Sequence, residues 1–547
     1  MTMKSLFHAL ALAAAFILLT ACPKPEPEPT PVPKADETVS LGQTGLIDAQ
    51  RLIPDEVRPL LVQQAGDALA FRCEGAPFSL AFDILKDYDG AKPFSRYCNY
   101  PIGYDFNLGS KPAVPAEAPE ELDLSAVLPS MIDLGYRSKG MSIYLSGLPE
   151  EVLALESIQL AESSHFDVTL SVTSPFFTEG SIIPEFSVDM RAFFNSPEAV
   201  DGILSFDAPL TLENGYKAHK VFRLDGVPFD PANFDPERHN LRLDARVGLS
   251  GKVKFEGMKT TKTRLASAPD NLLINVTVEL RDVSCKSVTG RFSYKTKAVT
   301  GTLVLPSALA AMELDPAGSS VQLDMTSNLS VPAQALVDLS SRKNRRTVGE
   351  VKGLSLPLAV AAPGGTASSV FRLQEAGDLT PLFARMPDEF QFNTSAAALE
   401  DQSCTVLLGQ DNQVELTPSA VVPFALGSKY EMSLADTLPV QSKVGAALKE
   451  KSLEWLGEVV NTLPLDVEMT VTLIDDYGRA ISRPMTQTVA AGSTASVKQA
   501  VQTVTTATER VSKAAVAYRL HGIATPRPLK ASDKLQASLS IRIPGGD

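Results

Sequence analysis

Along most of this chain apolar and polar residues alternate with a period of two. Phe166-Asp-Val-Thr-Leu-Ser-Val172, Leu273-Ile-Asn-Val-Thr-Val-Glu-Leu280, Val321-Gln-Leu-Asp-Met325 and Val467-Glu-Met-Thr-Val-Thr-Leu473 all read as strands with one face in a core and one in water. Antiparallel sheets give that pattern. The 39 prolines and 34 glycines punctuate it at turns. Two stretches instead keep a helical spacing, Val444, Leu448, Trp455, Val459 and Val497, Val501, Val504, Thr508, Val511, and predict two helices packed on a sheet. The expected fold is mainly β: tandem antiparallel, sandwich-like units in an elongated body, with a few short helices, after a cleaved signal helix.

The chain opens differently. Lys4 precedes an apolar run from Leu6 to Leu19, and at ~14 residues that run falls short of the ~20 a bilayer span needs. Leu19-Thr-Ala-Cys22 resembles the lipobox of bacterial lipoproteins. The resemblance implies cleavage after residue 21 and a covalent lipid on Cys22, a thioether-linked diacylglyceryl group plus an N-acyl chain of the palmitate type, enough for stable anchoring. The prolines from Pro23 to Pro33 favour an extended polyproline spacer. Position 23 is Pro rather than Asp, so nothing there marks inner-membrane retention. The outer membrane is the expected address, with the periplasmic and cell-surface faces both open.

Two windows repeat in order, roughly 150–160 residues apart. Tyr136-Arg-Ser-Lys139, Leu148-Pro149, Val168 to Ser174 and Val188-Asp-Met190 match Tyr294-Lys-Thr-Lys297, Leu305-Pro306, Val321 to Ser327 and Val337-Asp-Leu339. A third copy is expected from Met386-Pro387. With loop-rich breaks at 112–121, 267–271 and 363–368, the predicted division is a signal peptide (1–21), a Pro/Glu tether (22–45), an N-terminal cysteine-containing region (46–115), β units at 116–270 and 271–365, and a C-terminal β unit with two helices (366–547).

A net charge of −14 argues against nucleic acid as a partner. Besides Cys22 there are four cysteines, Cys73, Cys98, Cys285 and Cys404; an oxidising compartment permits disulfides, and the local pair Cys73–Cys98 is expected, leaving Cys285 with Cys404. No HExxH, GxSxG, P-loop or GxGxxG pattern occurs. Asp230, Asn233, Asp235 and Glu237 crowd enough oxygen donors to ligate Ca2+, with a proline-capped turn as the rival reading. His219 lies between lysines and reads as solvated. Trp455 reads as core, the doublets Phe176-Phe177 and Phe193-Phe194 as joint filler or a binding patch, and Arg342 to Arg346 as a solvated loop.

Val422-Pro-Phe-Ala-Leu-Gly427, Asn461-Thr-Leu-Pro-Leu465, Asp475-Asp-Tyr-Gly478, Ser171 to Phe177 and Pro184 to Asp189 resemble segments of uncharacterised Bacteroidota outer-membrane lipoproteins with repeated β units. That resemblance implies an address and an architecture and imports no catalytic residues. Asp436-Thr437-Leu438 resembles the O-glycosylation acceptor of that group, which marks Thr437. The expectation is a non-catalytic, membrane-anchored structural or binding protein whose partner is an envelope protein or a glycan. The alternatives are a lipid carrier and a glycan-binding or glycan-processing surface protein.

Overall fold

The computed structural model describes residues 35–95, 101–448, 451–504 and 510–545. Strands dominate, arranged in seven antiparallel sheets. Six of these pair into three sandwiches that share one strand order.

In the distal sandwich one sheet runs Lys217–Arg223, His165–Val172, Asn271–Arg281, Ile102–Ser110, and the other runs Ile203–Phe206, Phe177–Ala192, Asn240–Thr261, Met131–Ser146. The middle sandwich repeats this as Ala367–Arg372, Ser320–Ser327, Asn412–Pro423 and the broken strand Leu69–Glu74 with Phe78–Phe82, over Arg346–Pro357, Ala333–Lys343, Glu389–Ala398, Val299–Val304. The proximal sandwich repeats it again: Ser493–Ala500, Glu454–Asn461, Lys534–Ile543, Glu37–Gln43, over Met485–Val489, Leu465–Asp475, Val511–Gly522, Glu431–Pro439. Taken in chain order, these eight positions trace the jelly roll, two four-stranded sheets wound as Greek keys.

The three copies are nested rather than sequential. From residue 37 the chain contributes the first strand of the proximal sandwich, then of the middle one, then builds the whole distal sandwich. It returns to complete the middle and finally the proximal unit. Glu37 consequently pairs with Ile543, and Phe78 with Leu416. Both insertions fall in the same connection, between the first and second strands.

Alternation explains each core. Phe166, Val168 and Leu170 point inward from one distal sheet, Phe186, Val188 and Met190 from the other, all at most 2% exposed. Phe106 meets Phe186 across the gap at 5.6 Å. Phe78 and Phe392 do the same in the middle unit. In the proximal unit Tyr518 donates to Thr44 Oγ1 at 2.9 Å. Each such side chain contributes about 1.5–3 kcal/mol on burial. A seventh sheet, Gly226–Val227, Val152–Leu160, Cys285–Phe292, Cys404–Leu407, joins distal to middle unit. Gly290 is required there, because a Cβ would collide with the Ala154 carbonyl oxygen.

Several expectations are corrected. Strand pairing crosses the predicted unit boundaries: Asn271–Arg281 closes the distal sandwich by pairing with His165–Val172, and Asn412–Pro423 closes the middle one. Residues 46–115 form no separate region, since their strands are shared among all three sandwiches, and the predicted tether at 22–45 runs into the strand Glu37–Gln43, which buries Val39 and Leu41. Met386 lies just before the strand Glu389–Ala398 of the middle unit; the third copy is 431–543, where Leu438-Pro439 ends its own second strand and Leu148-Pro149 and Leu305-Pro306 follow theirs.

Neither predicted helix forms as read. Only Ser442–Ala447 is helical; Trp455 and Val459 sit in strand Glu454–Asn461, and Val497 and Val511 belong to different strands. A spacing of four keeps one face in a strand as well as in a helix, so the two periods coincide there.

Candidate ligand clefts

Cys22 lies outside the described residues, as does Cys98. Cys73 has a free, buried thiol, pushed up to about 11 by burial. Cys285 and Cys404 lie on neighbouring strands, but the register sets Cys404 opposite Gly290, and both thiols are free. Burial raises Cys285 to about 12 and Cys404 to about 11, so neither is a thiolate near neutral pH.

Two of the expected calcium donors each use one carboxylate oxygen in their own turns. Asp230 accepts from Ala232 N–H, and Asp235 accepts from the N–H groups of Glu237 and Arg238. Among the described residues no three His, Cys, Asp or Glu side chains are set to hold a metal ion. The aromatic doublets fill the interior: Phe176, Phe177, Phe193 and Phe194 are all buried, with Phe94 against Phe194. Arg342 to Arg346 forms a hairpin rather than a loop, with Asn344 N–H donating to Asp388. Thr437 is exposed on the edge strand Glu431–Pro439.

One polar cluster escaped the sequence. On the outer face of the distal sandwich Asp167 is buried beneath His165 Nε2 at 3.6 Å, His219 Nε2 at 3.2 Å and Arg281 Nε at 3.2 Å, and Arg281 also pairs with Glu279. His165 and Asp167 share a strand face by their spacing, which the sequence does display. His219 joins only because Lys217–Arg223 pairs with His165–Val172.

Two clefts occupy the same corner of the repeated fold. In both, one wall leads into the third strand and the other leaves the sixth. The distal cleft, about 440 Å³, is polar, with Arg223, Asp225, Glu162, Lys286, Gln159 and Asn195 at its walls. Lys286 pairs with Glu162 at 3.7 Å.

The middle cleft is larger, about 690 Å³, between Asp315–Ser319 and the segment from Gln374 to Ala384. Leu379 and Phe383 lie buried in its floor. Asp315 accepts from Ala317 N–H, and Asp378 from the N–H and hydroxyl of Thr380, which hold the Asp378 carboxyl below its usual range. A further cleft of about 500 Å³ opens on the outer face of the distal sheet, lined by Asp133, Glu185, Asp207 and Lys252 over Gly251.

No family model matches the chain, and no curated protein matches it. Among solved structures it is similar to a protein named as secreted from Parabacteroides distasonis, with 10% identity, 93% of this chain and 100% of that chain covered, and a TM-score of 0.26. A structure of the infectious bursal disease virus Gx strain aligns at 12% identity over 74% of each chain with a TM-score of 0.14, and the STIV MCP at 8% over 64% of this chain and 98% of that one with a TM-score of 0.11. Likeness at these scores carries no argument about function.

Proposed function

We propose that this chain is a lipid-anchored, non-catalytic binding component of the bacterial envelope, held at the outer membrane through acyl chains on Cys22. One observation supports the reading most. The segment that follows the proline spacer enters the proximal sandwich as its edge strand, Glu37–Gln43. A tether ending there leaves the middle and distal sandwiches, with their clefts, as insertions whose strands need not approach the membrane. No helix among the described residues is long and apolar enough to cross a bilayer. The exposed Thr437 is an accessible acceptor for the glycan its Asp-Thr-Leu setting resembles.

The test is metabolic labelling with a clickable palmitate analogue, followed by detergent phase separation of the natural chain and a Cys22→Ser variant. Label and detergent-phase partition should both be lost in the variant. A Cys22→Ser chain that still partitions with detergent would sink the reading.

A further inference from the structure

We propose that the corner cleft of the middle sandwich, between Asp315–Ser319 and the segment from Gln374 to Ala384, binds a ring of an uncharged sugar. The inference is independent of how the chain is anchored. Its volume of about 690 Å³ lies within the ~300–1,000 Å³ typical of small-molecule sites. A sugar ring presents hydroxyls around its rim and C–H groups on its faces, and the cleft offers partners for both. Pro381 and Ala384, exposed, and Pro316, half-buried, supply apolar surface for the C–H face, over a floor that includes the buried Leu379 and Phe383.

The polar groups accept from hydroxyls and disfavour an anion. Asp315 and Asp378 each use an oxygen on a local turn and retain acceptor capacity toward the cleft; Gln374 brings both an acceptor and donors. Ser319 Oγ, also in the lining, is shielded from solvent and has no hydrogen-bond partner in the protein. No Lys or Arg lines the cleft, so two carboxylates would repel an anionic ligand. The same corner of the distal sandwich is also hollow but carries Arg223 and Lys286 with Glu162 and Asp225. The hollow thus recurs at one corner of two copies of the fold with a different lining in each.

The experiment uses the full chain carrying Cys22→Ser and saturation-transfer NMR with glucose, mannose and N-acetylglucosamine, against galacturonic acid and glucosamine. Transfer should be strongest to ring C–H protons of one of the neutral sugars. Ala317 is exposed at the cleft, so Ala317→Trp should block the site and weaken binding more than tenfold; Gln374→Ala, also exposed, should weaken it by roughly three- to tenfold, the loss of one hydrogen bond. Lys286→Ala in the distal corner should leave it unchanged. A thermal melt matching that of the unsubstituted chain shows that each variant is folded. Binding that survives Ala317→Trp overturns the location, preference for the acidic or the cationic sugar overturns the ligand class, and no transfer to any neutral sugar at millimolar concentration overturns the proposal while leaving the lipid anchor standing.

Discussion

The distal and proximal sandwiches have the same eight-strand order but are closed by the chain in opposite ways. Every distal strand comes from one continuous stretch, Ile102 to Arg281, whereas the proximal edge strand Glu37–Gln43 meets Lys534–Ile543 only after the other two sandwiches have intervened. The difference shows where a sandwich tolerates insertion. In each unit the first and second strands are edges of opposite sheets, and they lie beside one another. A connection between two edge strands carries no ladder hydrogen bonds, so lengthening it leaves both sheets intact. Loop-closure entropy rises only logarithmically with length, about 0.6 kcal/mol per doubling, which makes even a two-domain insertion thermodynamically mild.

Removing residues 35–48 breaks the comparison most directly. The proximal unit then loses its edge strand and the covering of Leu535 and Ile541, while the distal unit loses nothing. Trp455 is the sole tryptophan and is 1% exposed in the proximal core, so its emission should shift to that of a solvated indole. A protease-resistant fragment spanning 102–281 should persist. An unshifted emission would show that the proximal sandwich closes without its N-terminal strand.

The converse substitution acts on the other unit. Phe186 is 2% exposed and touches Phe106 across the distal core, so Phe186→Ala should cost about 3–5 kcal/mol there. Calorimetry should show the distal transition lowered, with the transition followed by Trp455 fluorescence in place. A single transition moving as one would mean the units are not thermodynamically separable.

Individual strands were legible because their alternation is local. The blocks beginning at Val168 and Val321, and at Val188 and Val337, do occupy equivalent strands, and Leu-Pro marks one corner three times. Pairing was not legible. Asn271–Arg281 and Ala367–Arg372 pair with strands far back in the chain, so the loop-rich breaks at 267–271 and 363–368, where they begin, read as unit ends. The corner cleft has the same origin: Asp315 and Asp378 each announce a turn, but only the pairing of Ser320–Ser327 with Ala367–Arg372 brings those turns together.

A smaller effect separates proximal from distal by pH. Burial alone would push the Asp475 carboxyl up, but the N–H and guanidinium of Arg479 and the N–H of Tyr477 outweigh it and hold it below its usual range. A carboxyl lowered by folding stabilises above its unfolded value, ~3.9, and that contribution is lost as pH falls through the folded value. Asp475→Asn keeps the acceptor for the turn and removes the charge. Its proximal transition should therefore melt lower than the unsubstituted chain's at neutral pH, with a difference that begins to shrink below about pH 4 and closes once the pH is below the lowered folded value. A difference that does not shrink on acidification would place the effect in the turn geometry instead.

The connection between the fourth and fifth strands sharpens the contrast between middle and distal units with the smallest effect. In the distal unit it is a loop from Phe193 to Gly202 that ends in a two-residue turn, Asp201 and Gly202 at φ of 53° and 75°, with Gly at the second position. In the middle unit Asn344 and Arg345 alone join Ala333–Lys343 to Arg346–Pro357, with φ of 52° and 63°, and Lys343 pairs with Arg346. Two consecutive positive φ values define the tight turn for which Asn-Gly is the preferred pair. Asn tolerates the first position, but a side chain with a Cβ is strained at the second. Arg345→Gly relieves that strain and gives back part of the gain by freeing the unfolded chain, for a net stabilisation of about 0.5 kcal/mol. The middle transition should rise slightly in denaturant titration with an unchanged slope, and a fall would mean that Arg345 contributes more through its side chain than its backbone costs.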